Sequence, residues 1–90
     1  IIYKEGKKIE LKVDGIFIEI GATPLTELTK SLKLKFDKKG YIAVDKNMKT
    51  FVKGIFAAGD VTNFELKQVI VSSAQGAVAA KSAASFIRSK

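Results

Sequence analysis

Two short stretches of this sequence carry the side chains best suited to binding a polar ligand. They are Gly59-Asp60 and Lys67-Gln68-Val69. The Asp60 carboxylate would accept hydrogen bonds from two hydroxyl groups of the kind that a sugar or ribityl chain presents. The Gln68 amide, with the first backbone amides of a helix that starts there, would donate to an anion or a polarised carbonyl. An alternative role for Asp60 is to cap a turn or a helix.

A buried strand is predicted over residues 54–58, close before Asp60. The run is uncharged between two glycines, Gly54 and Gly59, which is typical of a strand covered on both faces in a parallel sheet. Because Gly59 has no Cβ, a backbone or a ligand can approach it closely. Ligands of open α/β sheets bind at the carboxyl ends of the strands. The sequence therefore predicts a binding edge at Asp60.

A long helix is predicted from about residue 68 to residue 88. Small residues recur on one of its faces: Ser73, Gly76, Ala80 and Ala83. A glycine in mid-helix costs about 1 kcal/mol relative to alanine, and the expected compensation at Gly76 is a neighbouring backbone that a side chain would block. The positive N-terminal end of this helix would face the ligand of Asp60.

The sequence of the N-terminal part of the chain predicts a β-hairpin. Apolar and polar residues alternate over residues 9–13, Asp14-Gly15 is a tight-turn sequence, and residues 16–20 are almost wholly apolar. Asp-Gly between two apolar runs favours a hairpin turn. An earlier turn is predicted over residues 5–8.

The middle of the chain predicts small, irregular elements. Pro24 permits a helix to begin just after it, and a short helix is predicted over residues 25–32. Its apolar face would consist of leucines at helical spacing, Leu25, Leu28 and Leu32. Short extended pieces are predicted over residues 34–36 and 41–44.

The composition excludes several kinds of chemistry. The 90 residues include no Cys and no His, so the chain has no thiolate nucleophile, disulfide, Cys/His zinc site or histidine base. No apolar run approaches the roughly 20 residues of a membrane span, and the N-terminus does not resemble a signal peptide. We therefore expect a cytoplasmic protein that does not bind membranes.

Lysines are concentrated between residues 30 and 53, within a chain of formal net charge +7. Such a cluster attracts nucleic acid, acidic proteins or phosphate-bearing ligands. It contains no arginine, although arginine dominates specific phosphate and base contacts. We therefore interpret it as a solvated surface and expect no nucleic-acid partner. A basic binding module with salt-dependent nucleic-acid binding is the alternative.

Three segments resemble the flavoprotein disulfide reductases that have two dinucleotide-binding domains. Residues 50–60 resemble their second FAD-binding motif, and residues 14–24 resemble the segment that leaves their NADPH domain. Residues 67–69 resemble the Arg-Gln-Ala that opens the last helix of the low-molecular-weight thioredoxin reductases. The peroxiredoxin-reducing flavoproteins and the thioredoxin-reductase-like ferredoxin reductases share much of this pattern.

The resemblance implies a role for each residue of the two stretches. Asp60 would accept hydrogen bonds from the ribityl chain of FAD, and Gly59 would allow the cofactor to approach. Gln68 and the backbone of Val69 would contact the flavin ring. Lys67 stands where the family usually has Arg, and a lysine cannot make the bidentate contact of an arginine.

The resemblance also implies an α/β fold, the C-terminal part of a Rossmann-like FAD-binding domain preceded by a β-hairpin. The sequence has neither the G-x-G-x-x-G loops that bind FAD and NADPH diphosphates nor a C-x-x-C redox pair. Residues 1–21 would then be the tail of an NADPH-binding domain, and residues 22–90 the C-terminal half of an FAD-binding domain.

The function implied is that of part of a thioredoxin reductase-like enzyme, with catalytic residues outside this chain. Electrons would pass from NADPH through FAD to the disulfide of a thioredoxin-like protein, and the parent enzyme would be a homodimer. The isolated chain is expected to have neither reductase activity nor strong FAD affinity. The alternative enzyme is a ferredoxin or flavodoxin NADP reductase of the same fold, which would lack the C-x-x-C pair.

Overall fold

The computed structural model describes residues 1–89, with few regular elements. In chain order they are β1 (Ile2–Lys4), β2 (Lys7–Ile9), a 3₁₀ helix (Glu27–Leu32) and α1 (Val69–Arg88). The radius of gyration is 18.6 Å, whereas a compact domain of this length would have about 12 Å. Only part of the chain therefore shares a core.

The N-terminal hairpin forms around the earlier of the two predicted turns. β1 and β2 pair antiparallel, with Ile2 opposite Ile9, and Glu5 and Gly6 between them both have positive φ, 51° and 77°. Two positive φ angles are typical of the tight hairpin turn whose twist matches that of its strands. The turn predicted over residues 5–8 is thus confirmed.

The larger hairpin predicted around Asp14-Gly15 is wrong. Residues 10–20 form no strand, and Phe17 and Ile20 are 93% and 95% exposed. Of the first arm, only Ile9 lies in a strand, and it pairs with Ile2 of β1. The second arm is an apolar strand sequence without a sheet to join in the described part of the chain.

The short helix predicted over residues 25–32 is confirmed in position, as the 3₁₀ helix Glu27–Leu32, which ends at Lys33 with φ 55°. Its predicted apolar face is not buried, since Leu28 is 95% exposed. Two turns of 3₁₀ helix have little surface to bury, and this helix makes an ion pair between Lys30 and Glu27 at 2.9 Å.

The core is small and is centred on Ile42. Its buried members are Leu34, Ile42, Met48, Thr62 and Gln75. The backbone of Ile42 bridges Phe36 antiparallel and Thr62 parallel, and its N–H donates to the Val61 carbonyl at 2.8 Å. The two extended pieces predicted around residues 36 and 42 therefore come together, as single bridges instead of continuous strands.

Residues 54–58 do not form the predicted buried parallel strand. They are half-buried or exposed, and Phe56 bridges Lys49 in the antiparallel direction. The reason is the short connection between the two segments: a turn in which Ile55 N–H donates to the Val52 carbonyl at 3.1 Å, with Gly54 at φ 88°. So short a connection permits only antiparallel pairing.

Asp45 closes the loop that leads into residue 49. Its carboxylate accepts the backbone N–H groups of Asn47 at 2.8 Å and Lys49 at 3.0 Å. These bonds, with that from Lys49 the stronger, hold the pKa of Asp45 below its ordinary value because they favour the charged carboxylate.

α1 confirms the predicted long helix, with Gln68 as its N-cap. Its inward face differs from the prediction, however. Ser73, Gly76 and Ala80 are exposed, and a Cβ added to Gly76 would meet, beyond the adjacent residues and backbone of its own helix, no atom of the described residues within 4 Å. The helix instead packs through Gln75 and Phe86, whose ring lies edge-on to that of Phe56 at 6.2 Å between centroids. Within residues 1–89, no helix is long and apolar enough to cross a membrane.

Candidate functional site

The Gly59–Thr62 turn joins the half-buried segment 54–58 to the connection before α1. Gly59 has φ 90°, in the left-handed region where only glycine is unstrained. Its carbonyl accepts two hydrogen bonds from the fully buried Thr62, from N–H at 3.0 Å and from Oγ1 at 2.8 Å. This turn places Asp60 on the surface.

Two side chains of α1 hold the turn. Ser72 Oγ donates to Asp60 Oδ1 at 2.9 Å, and Gln75 Oε1 accepts the Gly59 N–H at 2.8 Å. Ser72 and Gln75 are three residues apart and so lie on the same face of the helix. The turn is therefore fixed to the first two turns of α1, and the bond from Ser72 orients the Asp60 carboxylate.

Asp60 does not act as a helix cap. The N-cap of α1 is Gln68, with no side-chain capping bond, and Asp60 bonds a side chain within the helix instead. Its second oxygen, Oδ2, accepts no hydrogen bond from the described residues. A ligand hydroxyl can therefore bind there.

Lys67 makes two contacts inside the chain. Its Nζ donates to the Thr62 carbonyl and lies 4.1 Å from the centroid of the Tyr41 ring, a distance suited to a cation–π contact. Lys67 thus closes the connection from Thr62 to α1 and brings Tyr41 beside it. Its ammonium is engaged with these groups in the structure.

Gln68 and Val69 lie exposed where α1 begins. The Gln68 backbone is extended, with φ −137° and ψ 150°, and its carbonyl accepts the Ser72 N–H at 3.0 Å. Val69 is 84% exposed. The first helical amides have no side-chain cap, and the first turn of the helix contains no acidic residue, so the positive end of the helix is open to an electron-rich group.

A cavity of about 240 Å³ brings the two stretches of the sequence together. It is lined by residues 22–25, Tyr41, Asp60, Val61 and Lys67. Gln68 and Val69 are not among its lining residues but follow Lys67 directly. Ligand sites usually enclose about 300 Å³ or more, so this cavity suits part of a ligand.

Sequence reasoning missed three residues that shape the site: Thr62, Ser72 and Gln75. Thr62 gave no signal, because a lone Thr in a predicted connection is ordinary. Ser72 and Gln75 lie on one face of α1, near its start. A Gln among small apolar residues could have drawn attention to that face.

The family model described as pyridine nucleotide-disulphide oxidoreductase matches residues 1–79 of this chain. The chain belongs to this family. Among its relatives, a 34.2 kDa protein in the rubredoxin operon of Clostridium pasteurianum is 45% identical over 97% of the chain, and the thioredoxin reductase of Treponema pallidum is 45% identical over 93%. The chain spans only about a quarter of their lengths, 28% and 27%.

Solved thioredoxin reductases share the fold of this chain. The enzyme of T. acidophilum superposes with a TM-score of 0.81 at 38% identity, over 90% of this chain and 27% of that one. The enzyme of Lactococcus lactis superposes with a TM-score of 0.75 at 37% identity, over 84% of this chain and 25% of that one. The predicted thioredoxin reductase-like family of oxidoreductases is therefore confirmed.

Proposed function

We propose that this chain is the C-terminal part of an FAD-dependent and NADPH-dependent reductase of the thioredoxin reductase type. In the complete reductase, electrons pass from NADPH through FAD to the disulfide of a thioredoxin-like protein. Residues 1–21 are the tail of its NADPH-binding domain, and residues 22–90 are the C-terminal half of its FAD-binding domain. The observation that carries the proposal is the turn at Gly59 and Asp60, which α1 holds beside its own open N-terminus.

The residues present fit one part of FAD. The exposed Asp60 carboxylate suits the hydroxyls of a ribityl chain, and the uncapped amides at Gln68 and Val69 suit a ring carbonyl. Gly59 allows the close approach, and Lys67 holds the connection through Thr62 and Tyr41. When bound, FAD supplies the redox chemistry, for which this chain, having no Cys, offers no thiol.

The proposed role of this chain is to hold the cofactor and to orient it. Its positive helix end favours negative charge on a bound ring, and Asp60 fixes the position of the attached polyol. Since the sequence contains no Cys, the disulfide chemistry belongs to other residues of the complete reductase. So does the binding of the diphosphate groups, because the sequence has no G-x-G-x-x-G loop.

Flavin binding tests the proposal. The complete reductase should purify with FAD, its flavin should be reduced by NADPH, and it should then reduce a thioredoxin disulfide. The isolated 90-residue chain should show no submicromolar FAD affinity, because most of the cofactor contacts lie elsewhere. A colourless complete protein that gains no flavin on titration would contradict the proposal.

A second candidate is a ferredoxin or flavodoxin NADP reductase of the same fold. Two observations favour it: Lys67 stands where the thioredoxin reductases usually have Arg, and one relative has a name that places it in a rubredoxin operon. The complete sequence separates the two candidates. A C-x-x-C pair upstream of this chain supports the disulfide reductase, and its absence supports the second candidate.

A further inference from the structure

Gln75 is the buried polar side chain of α1 and is only 6% exposed. Its Oε1 accepts the Gly59 N–H at 2.8 Å and lies 3.4 Å from Thr62 Oγ1. The Thr62 hydroxyl has one proton and makes its shorter bond, 2.8 Å, to the Gly59 carbonyl. The principal partner of Gln75 is therefore the Gly59 N–H.

The orientation of the Gln75 amide is set by that contact. Its Nε2 is buried and has no hydrogen-bond partner in the described part of the chain. Turning the amide over would bring Nε2 against the Gly59 N–H, donor against donor. The structure thus leaves one buried donor unsatisfied, which is unfavourable, while keeping the acceptor on Gly59. A residue that only filled the core would not require this arrangement.

We propose that Gln75 is a positioning residue for FAD binding: by holding the Gly59 N–H, it fixes the Ala58-Gly59 peptide and so the backbone conformation of Gly59, which directs Asp60. Gly59 is the flexible point of the turn, since glycine reaches many backbone conformations. Thr62 restrains its carbonyl and Gln75 restrains its N–H. With the N–H released, the Ala58-Gly59 peptide can rotate, Gly59 can leave its present φ, and the Asp60 carboxylate loses its fixed direction.

This inference rests on the proposed function, and two substitutions separate it from a general packing role. Q75E keeps an acceptor for the Gly59 N–H and removes the unsatisfied Nε2 donor. Q75M has a similar length and volume but offers no comparable acceptor. A packing role predicts that Q75M resembles the unchanged protein, whereas a positioning role predicts that Q75E does.

The test is the dissociation constant of FAD, measured by flavin fluorescence on the complete reductase. Q75M should raise it about tenfold, the effect expected for one buried hydrogen bond, and Q75E should keep it within about threefold of the unchanged value. Ser73→Ala, on the exposed side of α1, is the matched control and should change nothing. Should Q75M fail to fold, Q75N, whose amide is one methylene too short to reach Gly59, replaces it.

A double-mutant cycle with Asp60→Ala shows whether Gln75 acts through Asp60. If it does, Q75M should weaken FAD binding much less in the Asp60→Ala background than alone. The contact between the Asp60 carboxylate and FAD, which Gln75 orients, is already absent in that background. Additive losses would overturn the positioning role, as would equal losses in Q75E and Q75M. If Asp60→Ala itself leaves FAD binding unchanged, the proposed function fails first and this inference falls with it. A loss in Asp60→Ala with none in Q75M refutes the inference alone.

Discussion

The turn region, residues 59–75, and the N-terminal apolar run, residues 10–20, differ in where their partners lie. In the turn region, Gly59 and Asp60 bond to Thr62, Ser72 and Gln75, all within sixteen residues of one another. In the apolar run, large side chains such as Phe17 are exposed to solvent. A turn can thus be formed by local contacts, whereas an apolar strand sequence needs a sheet.

The largest expected effect contrasts a core side chain with one of the apolar run. Ile42 is buried at the centre of the core, whereas Phe17 is 93% exposed. Ile42→Ala should lower the free energy of unfolding by about 2–4 kcal/mol through lost burial and the resulting cavity. Phe17→Ala should change it by less than about 0.5 kcal/mol.

Urea unfolding of both variants, followed by circular dichroism, checks this contrast. Equal losses of stability would mean that the apolar run packs within the chain in solution and does not differ from the core in this respect.

The two regions also differ in how well their structure follows from sequence. α1 was predicted because a long helical pattern acts locally. Gly59 was singled out for the close approach that a missing Cβ allows, and its turn and positive φ were not predicted. The hairpin around Asp14-Gly15 was predicted wrongly: the turn at Glu5-Gly6 pairs Ile9 with Ile2, and residues 10–20 form no strand. Alternation of apolar residues cannot show which turn prevails.

The residues of the candidate site also divide into those that the sequence indicated and those that it did not. Asp60 was found from its place at the end of an uncharged segment, although that segment proved to be antiparallel to its neighbour. Thr62, Ser72 and Gln75 were not found, because their roles depend on how α1 lies across the turn. The residues alone left the role of Asp60 undecided between binding a hydroxyl-bearing ligand and capping a turn or helix. The family resemblance indicated FAD as the ligand.

A smaller effect is expected from two glycines with opposite environments. Gly59 has φ 90° in the turn region, whereas Gly76 lies in mid-helix with open space around it. Gly59→Ala should cost about 1–2 kcal/mol of stability, since alanine is strained in the left-handed region. Gly76→Ala should add about 1 kcal/mol, because alanine favours the helix.

Thermal unfolding of the two variants under the same conditions measures whether each substitution lowers or raises stability. A destabilising Gly76→Ala would show that the small-residue face of α1 does meet a neighbouring backbone, as the sequence had predicted.

The smallest expected effect is a change in the pH dependence of stability. The backbone N–H groups of Lys49 and Asn47 hold the pKa of Asp45 below its ordinary value in the folded chain. Because the folded pKa is lower than the unfolded one, the stabilisation is present above the unfolded value of about 4 and is lost as pH falls through the folded pKa.

Asp45→Asn should therefore flatten the acid side of the stability curve slightly, and Asp14→Asn, at an exposed position, should not. Urea midpoints measured between about pH 5 and pH 2 test this. Parallel curves for the unchanged chain and Asp45→Asn would show that these N–H bonds do not persist in solution.

In the proposed function, the turn held by α1 presents Asp60 to the cofactor. FAD binding by the complete reductase with Asp60→Ala tests this claim most directly. Asp60→Ala should raise the FAD dissociation constant at least about tenfold, as loss of a charge-assisted hydrogen bond implies, while the control Asp14→Ala leaves it unchanged. Unchanged FAD affinity in Asp60→Ala would contradict the claim.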